Sequence, residues 1–331
     1  MSCSLLMPNR DNGAMLDRVL ERLAENTGAA DYELIVVDDG STDDSRAILR
    51  RWRDSGRFPE LTVIEREHSG VVNALNAGLA AAGGELVVQL DGDATVETPG
   101  WLERMSAFVR SDPRVGAATA RVVFDWGDLH ACGIEVTGPE GLHDRGAEVT
   151  EPLGRRTYHG HVLRRREADS EVCRHSAEVD GGLGCCMIYR REAALEAGGY
   201  DPGFAPVWFD DLDLTLSLRR LGLKVFCLPE VRVVHHVGER IGRADSPSRR
   251  AFARLPRAAR MRLARARPAQ PPAEHRDRLA HHYAYWREKW GFDLLNPDLD
   301  ELQRRWGHTE VGWRTDPARR RAGEEILERW A

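Results

Sequence analysis

Lysine is almost absent from this 331-residue chain: Lys224 and Lys289 are the only two, and arginine supplies nearly all of the positive charge. With a formal net charge of −6, the chain lacks the basic excess of a general nucleic-acid binder. No run of about 18 apolar residues occurs, so no transmembrane helix is expected. The short apolar start, Met1 to Pro8, has no basic region before it and no cleavage-type sequence after it, and reads as a first strand and not as a signal peptide. The cysteines (Cys3, Cys132, Cys173, Cys185, Cys186 and Cys227) form no Cys-x-x-Cys pair. Free thiols in a reducing, cytoplasmic setting are the expectation, and Cys173, His175 and the Cys185-Cys186 pair fit no usual tetrahedral zinc spacing. The Gly-x-Gly-x-x-Gly turn of a dinucleotide-binding oxidoreductase is missing after the first strand.

What is present is a packed α/β pattern, with 42% hydrophobic and 30% charged residues. Apolar runs at Cys3–Met7, Glu33–Val37, Leu61–Ile64 and Leu86–Leu90 alternate with helical periodicities. These carry Leu16, Val19, Leu20 and Leu23, then Ile48, Leu49 and Trp52, then Val71–Ala82. Continuous apolar strands between helices predict a mainly parallel sheet covered on both faces. Beyond Gly116 short strands are expected at Val122–Phe124, Ile134–Val136 and Glu148–Val149, forming a mixed-sheet elaboration. Further strands are expected at Gly184–Tyr189, Val225–Leu228 and Val231–Val234, with a helix over Asp211–Leu221. Arg240–Pro272, rich in Arg, Ala and Pro, reads as a connection with a short basic helix. Tyr283–Trp290 and Asp298–Trp306 read as C-terminal helices.

Ligands of parallel sheets bind at the carboxyl ends of the strands. Three such ends are polar or acidic: Asn9-Arg10-Asp11, Asp38-Asp39-Gly40-Ser41 and Asp91-Gly92-Asp93. Two carboxylates flanking one small residue on a turn can hold a hard cation, Mg²⁺ or Mn²⁺, with a diphosphate supplying further oxygens; the same pattern also suits a polar turn that caps the next element. Asp38 and Asp39 can accept hydrogen bonds from a base imide and a ribose hydroxyl, while Ser41 or Thr42 caps the following helix. Asp210-Asp211 opens a helix where a carboxylate can serve as general base, or simply enrich a first turn with acid. His235-His236 ends a strand and can offer one imidazole to a metal.

The order of these motifs resembles glycosyltransferase family 2. The resemblance runs through Val36–Ser45, His68-Ser69-Gly70 with Asn73-Ala74-Leu75-Asn76-Ala77-Gly78, and Leu90–Asp93. It continues through Gly181–Arg191, Gly198-Gly199-Tyr200-Asp201, Phe209–Leu214, Arg219–Gly222 and Pro229–His236. Lys289-Trp290-Gly291 looks like a tail ending seen in some members. The resemblance implies a GT-A fold, Rossmann-like, with a catalytic domain over 1–240. Residues 1–115 would bind the nucleotide sugar and 116–240 the acceptor, followed by a basic connection or lid (241–274) and a helical extension (275–331). It implies a UDP-, GDP- or dTDP-linked sugar donor held near Pro8, Arg10, Asp38, Asp39, Asn73, Asp91 and Gly92. Asp93 becomes the direct metal ligand, with Asp91 and His235 as further candidates, and Asp211 the base.

Two departures stand out. Asp210 occupies a position where the family commonly has Glu, which leaves open whether Asp210 or Asp211 faces the acceptor. Arg10 lies where an aromatic-Asn pair is usual, and can stack on the base or contact phosphate. The implied reaction is inverting transfer of a hexosyl or deoxyhexosyl group to a hydroxyl of a glycan precursor, glycolipid or secondary metabolite. The alternatives are a non-catalytic nucleotide-sugar-binding protein and a sugar-phosphate nucleotidyltransferase, whose Gly-rich loop with Thr-Arg and Lys is missing from Met7–Gly13. The Arg249–Arg267 stretch reads as a solvated basic lid, or as a peripheral contact with an anionic inner membrane face.

Overall fold

The computed structural model describes residues 2–28, 30–136, 159–161, 174–236, 255–256, 259, 273–295 and 317–330. The expected strand Glu148–Val149, the helix at Asp298–Trp306 and nearly all of Arg240–Pro272 lie outside them.

Strand β1 (Cys3–Asn9), helix α1 (Gly13–Asn26), β2 (Tyr32–Asp39), α2 (Ser45–Asp54), β3 (Leu61–Arg66), α3 (Val71–Ala81) and β4 (Leu86–Leu90) alternate as the periodicity requires. β1, β2 and β4 are buried along their whole length, which is why they read as unbroken apolar runs. β1 pairs in parallel with both β2 and β4, and β2 with β3, giving the order β3-β2-β1-β4. All these carboxyl ends therefore open on one side, and this positions the site.

The sheet continues past β4 through β11 (Cys186–Arg190), β6 (Val115–Phe124), β12 (Lys224–His235) and β10 (Ala177–Glu178). β11 is antiparallel to both neighbours, whereas β6 and β12 are parallel to each other. Short β5 (Ala94–Val96) pairs with the end of β12, and β7 (Leu129–Ala131) pairs with β6. A separate ribbon joins β8 (Ile134–Val136) to β9 (His159–His161).

Three expectations are corrected. The strand at Val122–Phe124 is the end of the ten-residue β6, whose Gly116-Ala117-Ala118 start has low strand propensity. Small residues fit there because the strand is sandwiched: a Cβ on Gly116 would meet Leu223 Cβ at 2.6 Å. The two strands around Pro229 are one, β12; its register against β6 shifts between Leu228 and Arg232, so proline sits where no ladder donor is required. β11 starts at Cys186, two residues later than expected, because Gly184 and Cys185 turn toward the strand ends.

Helices cover both faces. α1, α2, α4 (Trp101–Ser111) and α8 (Pro317–Trp330) share one apolar cluster with the strands. α3, α5 (Arg191–Glu196) and α6 (Asp210–Arg220) share the cluster on the other face. α4 was not expected, although its Leu102, Met105, Phe108, Val109 spacing supports it. The five described cysteines are buried and free.

Helix α7 (Ala273–Trp290) packs on α6 through a third cluster containing Leu212, Leu216, Phe204, Trp286 and Trp290. Its lock is polar. Asp213 is 1% exposed and accepts from Lys289 Nζ at 2.8 Å and from Trp290 Nε1 at 2.8 Å. Lys289 also donates to Asp201 at 2.6 Å, and Tyr285 Oη donates to the same carboxylate at 3.0 Å. The Lys-Trp-Gly sequence is thus a latch onto the first turn of α6. Burial pushes Asp213 up, with the Lys289 charge working against it, and Arg220 covers the Trp290 ring at 3.8 Å. Trp330, on α8, meets Phe108 edge to face at 5.2 Å.

Because Trp290 fills a core and satisfies a buried carboxylate, Trp290→Ala should cost about 3–5 kcal/mol in a urea melt followed by circular dichroism. A loss below about 1 kcal/mol would show that the helix is not part of the cooperative unit.

Candidate active site

A cavity of about 1130 Å³ opens at the carboxyl ends of β1, β2 and β4. One wall comes from Pro8 and Arg10 after β1 and from Asp39 at the end of β2. The floor is Asp91-Gly92-Asp93, and the opposite wall is Trp208–Leu212 leading into α6. His235, at the end of β12, also lines it, as do Arg278, Leu279 and Tyr283 of α7.

Asp39 is 3% exposed and already accepts several bonds: from Ser69 N at 2.8 Å, Gly70 N at 2.9 Å and the His68 ring at 2.7 Å. Burial opposes its charge, but the Ser69 N–H, the His68 ring and the Gly70 N–H win and hold the carboxyl below its usual range. It thereby pins the His68-Ser69-Gly70 turn to the cavity rim. Gly70 is required there: its φ is +96° and a Cβ would lie 2.4 Å from Pro206 Cβ.

The Asp91-Gly92-Asp93 turn is placed by β5, which pairs His235 with Ala94. His236 N donates to the Asp93 carbonyl at 2.9 Å, and the His236 ring meets Thr95 Oγ1 at 3.0 Å. Of the two histidines, His236 therefore braces the turn and His235 faces the cavity. His235 Nε2 lies 3.2 Å from Asp93 Oδ1 and 3.9 Å from Asp91 Oδ2. One ligand atom from each of Asp91, Asp93 and His235 falls within 4.8 Å of the others. Two carboxylate oxygens and an imidazole fit a hard divalent cation that keeps positions for phosphate oxygens. Gly92 allows close approach, since a Cβ would lie 3.2 Å from the Pro8 carbonyl, and Asn12 Nδ2 donates to the Gly92 carbonyl. Asn9 Oδ1 and Asn12 Oδ1 are buried at the cavity wall without a hydrogen-bond partner.

The acidic pair opposite is aimed by backbone strain. Trp208 (φ +85°) and Phe209 (φ +68°) both adopt left-handed conformations that bulky residues avoid. They turn the chain so that Asp210 and Asp211 begin α6 at its positive end. Asp211 Oδ2 accepts from Gly184 N at 3.2 Å and Oδ1 from Leu212 N at 2.7 Å. Burial pushes both carboxyls well above the usual range. In Asp210 the neighbouring Asp211 charge adds to burial, whereas in Asp211 the Gly184 and Leu212 N–H groups oppose it. Two backbone N–H groups thus favour the charged form of Asp211, while burial and the Asp211 charge disfavour that of Asp210.

The structure thus brings Pro8, Arg10, Asp39, Asp91, Gly92, Asp93, Asp210, Asp211 and His235 to one cavity. Asp38 and Asn73 do not line it. Asp38 is fully buried and accepts from Ser41 N at 3.0 Å and Arg46 Nε at 2.8 Å, holding the turn after β2. Asn73 Nδ2 donates to the Ser69 carbonyl at 2.8 Å, just before α3. Asn12, His68, His130, Cys185, Trp208 and Arg278 line the cavity without having been expected there. His68 and Cys185 lie within motifs of the family resemblance and Trp208 sits beside one, whereas nothing in the sequence marked His130 or Arg278.

The sequence model described as glycosyl transferase family 2 matches residues 4–173, just over half of the chain. The chain belongs to that family. It is 30% identical over 254 residues, 76% of its length, to the O-antigen biosynthesis protein RfbC of Myxococcus xanthus. It is also 28% identical over 253 residues, 75% of its length, to an uncharacterized protein of Sinorhizobium fredii. The chain spans only 18% and 26% of the lengths of these two relatives. A solved mannosyltransferase from Pyrobaculum calidifontis, in complex with GDP-Man and Mn²⁺, shares the fold. Its TM-score is 0.50 at 20% identity, covering 85% of this chain and 68% of that one. This family 2 chain therefore has the GT-A architecture, with its acidic side chains gathered where that sheet binds ligands. Among the described residues, no helix is long and apolar enough to cross a membrane.

The raised Asp210 carboxyl has a stability consequence. A group whose folded pKa is raised favours the fold below its unfolded pKa, and that contribution fades as pH rises through the folded value. Metal-free Asp210→Asn should therefore be more stable than the parent at neutral pH, by about 1 kcal/mol or more, and converge with it below about pH 4. Chemical denaturation across that pH range would show this; equal stability at neutral pH would contradict the buried-charge reading.

Proposed function

We propose that this chain is an inverting glycosyltransferase, moving a hexosyl or deoxyhexosyl group from a nucleoside-diphosphate sugar to an acceptor hydroxyl. The observation that carries this is the meeting of Asp39, the Asp91/Asp93/His235 cluster and Asp211, from distant parts of the chain, around one cavity of about 1130 Å³. Its size suits a nucleotide sugar with part of an acceptor. Family membership and the fold shared with a protein solved with GDP-Man and Mn²⁺ support a nucleotide-sugar donor and a divalent cation.

In this reading Pro8, Arg10 and the turn held by Asp39 receive the nucleotide, whose base is uracil, guanine or thymine. The unpartnered Asn9 and Asn12 oxygens are acceptors for its hydroxyls. Asp91, Asp93 and His235 hold Mg²⁺ or Mn²⁺, which supplies positive charge against the departing diphosphate. Asp211 takes the proton of the acceptor hydroxyl as that oxygen attacks the anomeric carbon from the face opposite the diphosphate. The new C–O bond forms as the bond to diphosphate breaks, and the configuration inverts. Asp210, pushed toward its neutral form by burial and the Asp211 charge, limits the negative charge near the attacking oxygen.

Trp208 and the α7 residues Leu279 and Tyr283 give the acceptor side an aromatic and apolar lining. A glycan precursor, a glycolipid or a secondary metabolite suits it, and the O-antigen biosynthesis relative favours a saccharide acceptor. Buried free thiols and the use of a nucleotide sugar agree with a cytoplasmic location.

A hydrolysis screen over UDP-, GDP- and dTDP-sugars, with and without Mn²⁺, identifies the donor without knowledge of the acceptor. Asp93→Ala should abolish the metal-dependent thermal stabilisation by that nucleotide. Asp211→Asn should keep it while turnover falls by a factor on the order of 10² or more. Near-normal turnover by Asp211→Asn would refute the base assignment.

Since Asp211 acts deprotonated and its carboxyl is raised, turnover should rise with pH along a limb displaced above the ordinary carboxylate range. A pH–rate profile of the parent, flat down to the usual aspartate range, would contradict it.

A further inference from the structure

His235 has two ring nitrogens, and the proposed function uses only one. While Nε2 faces Asp93, Nδ1 faces two other side chains. Cys185 Sγ lies 3.3 Å from it and His130 Nδ1 lies 3.2 Å from it. The ligand atoms of His130, Cys185 and His235 all fall within 4.8 Å of one another. The two imidazole planes lie within 17° of each other with centroids 5.2 Å apart, and their Nδ1 atoms are neighbours. His130 is held from behind by Phe124, stacked at 4.5 Å, which in turn stacks on Trp126 at 4.3 Å. His130 and Cys185 are 7% and 5% exposed, and all three residues border the cavity.

From this geometry we infer that His130, Cys185 and the Nδ1 atom of His235 form a second metal site, selective for a thiophilic divalent cation, zinc. A tetrahedral zinc with its usual Zn–N and Zn–S bonds holds its ligand atoms roughly 3.3–3.6 Å apart. The two contacts of His235 Nδ1, at 3.2 and 3.3 Å, lie at or just under that spacing. One sulfur and two imidazoles with a fourth position open to the cavity match the three-ligand sites that keep a water. On binding, the Cys185 S–H bond is replaced by an S–Zn bond and the proton leaves to water. The partner that such a histidine needs is in place, because Nε2–H then donates to Asp93 Oδ1 at 3.2 Å, a carboxylate–histidine–zinc arrangement.

The two sites exclude one another through a single ring. A neutral imidazole has one lone pair and one N–H. With a hard cation on Nε2, Nδ1 carries the proton and donates it toward Cys185 and His130; with zinc on Nδ1, Nε2 carries it and turns a ligand of the hard site into a donor to Asp93. Zinc thus antagonises Mg²⁺ or Mn²⁺ at the floor of the cavity. This antagonism rests on the hard-cation reading of Asp93 and His235, whereas the soft site itself does not.

The test uses the full, metal-stripped chain titrated with Co²⁺ as a spectroscopic substitute for zinc. A thiolate-to-cobalt charge-transfer band in the near ultraviolet is expected, displaced by zinc. It should be lost in both Cys185→Ala and Cys185→Ser, weakened at least about tenfold in affinity in His130→Ala, and retained in Asp91→Ala. No such band in the parent, or one that survives both Cys185 variants, overturns the site. Mn²⁺ binding followed by electron paramagnetic resonance then tests the exclusion. Zinc should release Mn²⁺ from the parent and require at least about tenfold more to do so in Cys185→Ala. Release at equal zinc in both proteins overturns the exclusion. If the parent binds no Mn²⁺ at all, the hard-cation reading fails, and the cobalt spectrum alone decides the soft site.

Discussion

The structure depends on keeping four carboxylates, Asp91, Asp93, Asp210 and Asp211, around one partly desolvated cavity. Like charges in such a setting repel, and burial penalises each further. The protein meets this locally. Asp211 receives backbone N–H groups from Gly184 and Leu212, and burial with the Asp211 charge pushes Asp210 toward its neutral form. Asp93 faces an imidazole. In the proposed reading, a cation accompanying the donor diphosphate would complete the balance at the floor.

Holding α6 in place is the second requirement, and the C-terminal helix α7 meets it. Asp213 is buried two residues beyond the acidic pair and is neutralised by Lys289 and Trp290. The same helix supplies Arg278, Leu279 and Tyr283 to the cavity wall. One packing contact therefore bears on both the start of α6, where Asp210 and Asp211 lie, and the shape of the cavity wall. The left-handed Phe209 packs on Tyr283 and Trp286 of the same helix, and Arg278 lies over the Trp208 ring.

The parallel half of the sheet was legible because its strands are buried on both faces and its helices are strongly amphipathic. The second half was less so, for identifiable reasons. β6 begins with Gly116-Ala117-Ala118, small residues chosen by the crowding of β11 and β12 and not by strand propensity. β12 runs through Pro229, which signals a break locally but is tolerated at a register shift. Of the site, the acidic turns could be read because carboxylates at strand ends are conspicuous. Asp38 and Asp39 are chemically alike and adjacent, so only their opposite orientations along the strand separate the buried brace from the cavity wall. His130 and Cys185 lie 55 positions apart in a sequence that carries no ligand spacing.

The sequence alone determined the layer order, the parallel core and the identities of the acidic groups, because these follow from local periodicity and from residue chemistry. The tertiary structure decided which nitrogen of His235 meets which neighbours, and that Asp211 receives the Gly184 N–H. It also decided that the Lys289-Trp290 latch belongs to Asp213. Each of these is set by distances between elements remote in the chain, and a linear pattern of side chains carries no such distances.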